Sequence, residues 1–197
     1  KFAFANDGVE IDANTNRTYR EISDSDYYPD DYIGYRYPVR PGTAEWAELS
    51  DHQAMVEACA IPEEILAEMT TEELAQSILA YPLIADMFAY DDWYIGLDII
   101  TDNFNGLEEF SNRADSSSAM VDLYVDIELE NTRDTNDVVC MNEDTAIDPL
   151  GISYSSTKNV LYYMVMSTFL SDNTYTDRLT ENDKNELLTV ADQREKQ

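Results

Sequence analysis

From Thr70 to Tyr124 the apolar positions recur at helical spacing, and polar punctuation separates one run from the next. Thr70-Thr71-Glu72-Glu73 has the form of a capping box. The Thr70 hydroxyl can accept from the Glu73 N–H, and the Glu73 carboxylate can reach back to the Thr70 N–H. Leu74, Ile78 and Leu79 then share one helical face. Pro82 ends that helix, because it lacks a donor and its ring clashes one turn back, and it suits the first turn of the next. Leu83, Ile84, Met87 and Phe88 give the next helix its apolar face. Asp91 and Asp92 are both good N-caps. Trp93, Leu97, Ile100 and Phe104 follow at spacings of four, three and four, the best single stripe in the chain. Asn105-Gly106 predicts a stop, since both residues tolerate the left-handed conformation of a helix end. Leu107 and Phe110 seed a short helix. Asp115 caps another, with Met120, Leu123, Tyr124 and Ile127 on one side.

The flanks extend this pattern. Ser50 to Gln53 is a second capping-box pattern, followed by Met55, Val56 and Cys59 facing inward. Ile61-Pro62-Glu63-Glu64 restarts the chain as a helix with Ile65, Leu66 and Met69 apolar. Lys158 to Leu170 is apolar nearly all round, as a central helix would be. Thr180 to Gln197 closes the chain with Leu187, Leu188 and Ala191 on its inner face. Residues 131–156 lose periodicity and read as a long polar connection; loops of that length in a compact domain are often functional or mobile.

Residues 1–42 differ. Tyr19, Tyr27, Tyr28, Tyr32, Tyr35 and Tyr37 are interspersed with Pro29, Pro38 and Pro41, and no period is sustained. The segment reads as an extended Tyr-rich arm whose rings can lie on the helical body while their hydroxyls stay wet. An aromatic platform for a sugar or peptide is the functional alternative. The expected fold is therefore all-α: an irregular multi-helix bundle, or a short solenoid-like stack of helix pairs, over residues 43–197, with an extended N-terminal arm.

Composition adds two constraints. The chain has 197 residues and is 44% hydrophobic, enough for one domain with a sizeable core. Against 12 Lys+Arg stand 41 Asp+Glu, a formal net charge of −29. Nucleic acid and anionic membrane surfaces are bound by cationic patches, so both are excluded as partners. Solubility is the plain role of such acidity; cations, cationic surfaces and neutral ligands are the partners it leaves open. No run approaches the ~20 apolar residues of a membrane span.

Candidate chemistry is sparse. His52 is the sole histidine and lies seven residues before Cys59. Seven helical residues rise about 10 Å, too far for a Cys–His dyad within one helix. There is no nucleophile elbow, Gly-rich phosphate loop or zinc spacing. Paired carboxylates for glycoside hydrolysis cannot be nominated among so many acids. Asp12-x-Asn14-x-Asn16 resembles the start of an EF-hand loop, but Arg17 and Ser23 stand where glycine and glutamate belong. Asp24, Asp26, Asp30 and Asp31 form a denser cluster that could hold calcium; a solvated acidic loop is the plainer reading. No other cofactor is implied. Cys59 and Cys140 can form a disulfide if the protein is exported, tying the long loop to an early helix, or Cys59 is a buried free thiol. Trp93, Tyr94, the arm tyrosines and the carboxylates near them are where a cleft would decide between enzyme and binding module.

The stretches ACAIPEEILAEMTTEELAQSILAYPL and FNGLEEFSNRADSSSAMVDLY carry a resemblance. They are similar to an uncharacterised family of secreted or surface-anchored all-helical proteins of gut anaerobic bacteria. The matching residues are Cys59 to Pro62, Met69 to Leu74, Tyr81-Pro82, Phe104 to Gly106 and Asn112 to Asp115. The resemblance covers a little under half of the chain and leaves the Tyr-rich arm and residues 131–156 outside it. It implies an all-helical fold and export, and it implies no activity and no functional residues. Because the chain begins at Lys1 rather than methionine, the expected leader has either been removed or lies outside this sequence. Arg113, a rare cation in this sequence, is expected to pair with a carboxylate and lock two helices.

The first expectation is a non-enzymatic exported helical module that binds a protein or cell-surface partner. The alternatives are a carboxylate-dependent hydrolase acting on a glycan and a calcium-stabilised structural module.

Overall fold

The computed structural model of the chain describes residues 2–4, 9–12, 18–20, 23–28, 30–134, 162 and 164–194. Its body is an all-α multi-helix fold. In chain order the helices are α1 (Asp24–Tyr27), α2 (Ala44–Ala47), α3 (His52–Ala58), α4 (Glu63–Leu66), α5 (Thr71–Leu79), a 3-10 segment (Ile84–Ala89), α6 (Trp93–Asn103), α7 (Asn105–Asn112), α8 (Ser116–Asp134), α9 (164–169), α10 (Asn173–Thr176) and α11 (Glu181–Arg194). A small antiparallel meander precedes them: β1 (Phe2–Phe4), β2 (Val9–Asp12) and β3 (Thr18–Arg20). Phe2 is opposite Asp12, and Val9 opposite Arg20. Strands of three or four residues are too short to sustain a period along the sequence, which is why the arm reads only as extended.

The capping box at the start of α5 forms as the spacing predicts. Thr70 N–H donates to Glu73 Oε2 at 2.8 Å and Glu73 N–H to Thr70 Oγ1 at 3.2 Å. Leu74, Ile78 and Leu79 are buried, and α5 packs against both α7 and α8. Leu107 and Phe110 from α7, Met120 from α8, and Val165, Met166 and Phe169 from α9 close the core around it. Each such side chain contributes about 1.5–3 kcal/mol by leaving water. Phe110, Phe169 and Tyr175 make edge and stacked ring contacts at 4.8–6.3 Å.

Several local expectations are corrected. The N-cap of α3 is Asp51, whose carboxylate accepts from Ala54 N–H at 2.9 Å. Ser50 donates to Asp51 instead of capping, and Gln53 turns to Glu57. A carboxylate one residue later is the stronger acceptor at a positive helix end. The run after Pro82 is a 3-10 segment rather than an α-helix, being confined between Pro82 and the α6 cap at Asp92. Asn105-Gly106 is no left-handed stop. Asn105 opens α7 and clamps Ile61, accepting from its N–H at 3.0 Å and donating to its carbonyl at 2.7 Å. Helix α8 runs on to Asp134, past the loss of apolar period at residue 131, because extending a formed helix costs little. The rest of that connection, with Cys140, lies outside the described residues.

Arg113 does pair with a carboxylate, Glu109 at 3.0 Å, and its other nitrogens donate to the Met69 and Leu66 carbonyls at 2.7 and 3.2 Å. It thereby ties the end of α7 to the end of α4. The tyrosine segment lies on the helical body. Tyr28 and Tyr37 belong to the core, and Tyr37 Oη donates to the Ser77 carbonyl in the last turn of α5 at 2.9 Å.

Candidate functional site

Two helix starts and a proline build the site. Asp51 fixes the start of α3, so His52 projects from its first position. Pro82 and the Asp92 cap, which accepts from Tyr94 N–H at 2.9 Å, hold the 3-10 segment against α6. That contact is close: a Cβ on Gly96 would lie 2.0 Å from the Met87 carbonyl oxygen, so only glycine fits there.

Between α3, the 3-10 segment and the second half of α6 lies a cleft of about 440 Å³. Val56, Leu83, Ile99 and Ile100 give it apolar walls; Tyr81 and Tyr90 add aromatic surface. His52, Gln53, Asp86 and Asn103 supply polar groups. His52 Nε2 is 2.7 Å from Asp86 Oδ2; a carboxylate accepts, so Nε2 carries the hydrogen. Burial pushes the Tyr81 phenol up, which keeps it a neutral donor.

Among the described residues the lining has no Ser, Thr, Cys or Lys nucleophile beside the His–Asp pair. Cys59 does not serve: it is fully buried, and burial alone pushes its thiol up to about 12, the opposite of an activated thiolate. It is a free thiol here, donating weakly to the Val39 carbonyl. Among the described residues the cleft presents a single carboxylate, where glycoside hydrolysis uses two.

Beside the cleft runs an exposed edge. Trp93 is 44% and Ile95 53% exposed, with Tyr90 and Tyr94 similarly open. The Trp93 and Phe88 rings stand nearly perpendicular, their centroids 5.2 Å apart. The stripe expected for α6 is thus broken at its first member: Leu97, Ile100 and Phe104 are buried and Trp93 is not.

Compared with family models, curated proteins and solved structures, the chain matches none.

Of the four residues nominated for calcium, the side chains of Asp24, Asp30 and Asp31 are described. Asp24 is ion-paired with Arg40, and Asp30 and Asp31 are exposed. The Asp26 side chain lies outside the described residues, among which no cluster of three or more potential metal ligands occurs. The His52–Asp86 pair was not legible: its members are 34 positions apart and join only through the packing of α3 on the 3-10 segment. The one signal available was that His52 stands alone of its kind.

Proposed function

We propose that this chain is a non-enzymatic binding module, displayed outside the cell as the family resemblance implies, whose contact surface is the Tyr90–Ile95 edge. One observation carries the reading. Of the seven large hydrophobic side chains left exposed among the described residues, four fall within Tyr90 to Ile95. Single exposed apolar residues are ordinary, but a local concentration of exposed aromatics is a usual feature of protein contacts. The Gly96–Met87 approach makes that surface rigid, so little order has to be gained on binding.

The test is peptide display against the immobilised chain and against its Trp93→Ala/Tyr94→Ala variant. The wild type should enrich a recurrent sequence that the variant does not, with both keeping the same circular dichroism and melting temperature. Equal enrichment by the two proteins would remove the edge from consideration. Release of sugar from a glycan panel, lost in Asp86→Asn, would replace binding by hydrolysis.

A further inference from the structure

We infer that the His52–Asp86 cleft receives a lysine or arginine side chain of a peptide lying across the aromatic edge. This rests on the binding-module reading and names the chemistry of its partner. Three observations converge on it.

The first is shape and polarity. A long apolar wall with one carboxylate matches a side chain that has a hydrocarbon stem and a cationic tip. Asp86 is 45% exposed, and only its Oδ2 is engaged, by His52. Its Oδ1 takes no hydrogen bond among the described residues and is free for a second donor.

The second is charge. Among the described residues no lysine or arginine lines the cleft. The cations whose side chains are described are all committed elsewhere. Arg36 lies over Tyr28, Arg40 pairs with Asp24, and Arg113 pairs with Glu109. Arg178 donates to the Ser111 carbonyl, and Lys184 pairs with Glu181. Among the described residues no Lys or Arg neutralises the cleft carboxylate, and in a chain of net charge −29 a cationic partner is its electrostatic complement.

The third is continuity. Tyr90 both lines the cleft and begins the edge. A chain that contacts Tyr90 therefore meets the cleft mouth, which favours a peptide over a free small cation.

The experiment titrates three probes into the full chain by calorimetry at roughly 0.15 M salt, where non-local charge attraction is screened. They are a peptide alternating tryptophan and lysine, its counterpart with norleucine for lysine, and cadaverine alone. The lysine peptide should bind about tenfold more tightly than the norleucine peptide, the ratio expected of one charge-assisted contact. Asp86→Asn should collapse that ratio towards one while leaving the norleucine peptide unchanged. His52→Ala, which frees Oδ2, should keep or enlarge it. A ratio near one in the wild type, or a ratio that survives Asp86→Asn, overturns the inference. If Trp93→Ala still weakens both peptides in that case, the binding edge itself stands. Cadaverine binding as tightly as the lysine peptide overturns the peptide assignment. Peptide affinities indifferent to Trp93→Ala overturn the binding-module reading beneath it.

Discussion

Residues Tyr27 to Arg40 and residues Tyr90 to Ile95 are both rich in aromatic side chains, and they do opposite things with them. In the first segment the polar handles are spent internally. Tyr37 N–H donates to Tyr28 Oη at 2.6 Å, Tyr37 Oη to Ser77, and Tyr32 Oη to the Tyr35 carbonyl at 2.8 Å. The ring faces are covered too, by Arg36 at 5.0 Å from Tyr28 and Arg40 at 4.7 Å from Tyr27. In the second segment the Tyr90 and Tyr94 hydroxyls and the Trp93 indole N–H make no hydrogen bond among the described residues, and the three residues are 40–44% exposed. An aromatic-rich stretch marks a contact surface only where its handles and faces are left unspent.

The largest expected effect strikes the support of the exposed edge and spares the tyrosine segment. Gly96→Ala drives a Cβ into the Met87 carbonyl, and backbone cannot swing aside as a side chain can. Denaturation in urea should show a loss of about 3 kcal/mol. A loss below about 0.5 kcal/mol would mean that α6 and the 3-10 segment are not held as described.

Next comes Tyr37→Phe. It strands the Ser77 carbonyl in the core and should cost about 1–3 kcal/mol. Tyr94→Phe, the same change on the open edge, should stay within about 0.5 kcal/mol. Equal losses from the two would erase the distinction between the regions.

Alkaline titration sharpens the same contrast. Burial raises the phenols of Tyr28, Tyr32 and Tyr37 above the ordinary tyrosine value. The folded state then holds protons that the unfolded state releases, so their contribution is fully present below about pH 10 and is lost as pH rises beyond it. Stability should fall from there upward, and the fall should be shallower in Tyr37→Phe. An unaltered slope in that variant would show that Tyr37 is not the buried phenol described.

The smallest effect is a control remote from both regions. Burial, then Glu186, Asp183 and Asp126, push the Asp122 carboxyl up. A raised carboxyl costs stability once ionised, so Asp122→Asn should stabilise the chain at neutral pH. Removing its like-charge contact with Asp126 one turn away is worth about 0.2–0.5 kcal/mol. The gain should vanish as pH drops below the carboxyl range. A gain that persists in acid would assign the effect to something other than charge.

What the sequence showed was local. The α5 capping box and the buried face of Leu74 and Ile78 depend on residues a few positions apart, so spacing alone reveals them. The apolar stripe of α6 gave Leu97, Ile100 and Phe104 correctly for the same reason. It misplaced Trp93, because a stripe says which residues share a face and not how far the neighbouring element reaches. The 3-10 segment ends at Ala89 and leaves the first turn of α6 uncovered. Asn105 was misjudged because its conformational tolerance is written in its identity, whereas its clamp on Ile61 spans 44 positions. The cleft was invisible on the same grounds: α3, the 3-10 segment and α6 contribute its lining separately, and no sequence period records their meeting.

The docking of the tyrosine segment on α5 has a consequence for biosynthesis. Tyr35 and Tyr37 find their partner in Ser77, 42 and 40 positions downstream. A nascent chain is made from its N-terminus at about 5–20 residues per second, so these tyrosines wait some 2–8 s for Ser77 to be added. During that interval the rings have no helix to lie on. The neighbouring rings of Tyr27, Tyr28 and Tyr32 are covered by Arg36 and Arg40, which are synthesised within the same short segment and are already present. The guanidinium–ring pairs can therefore shelter this part of the aromatic surface on the ribosome before the helical body exists to bury the rest.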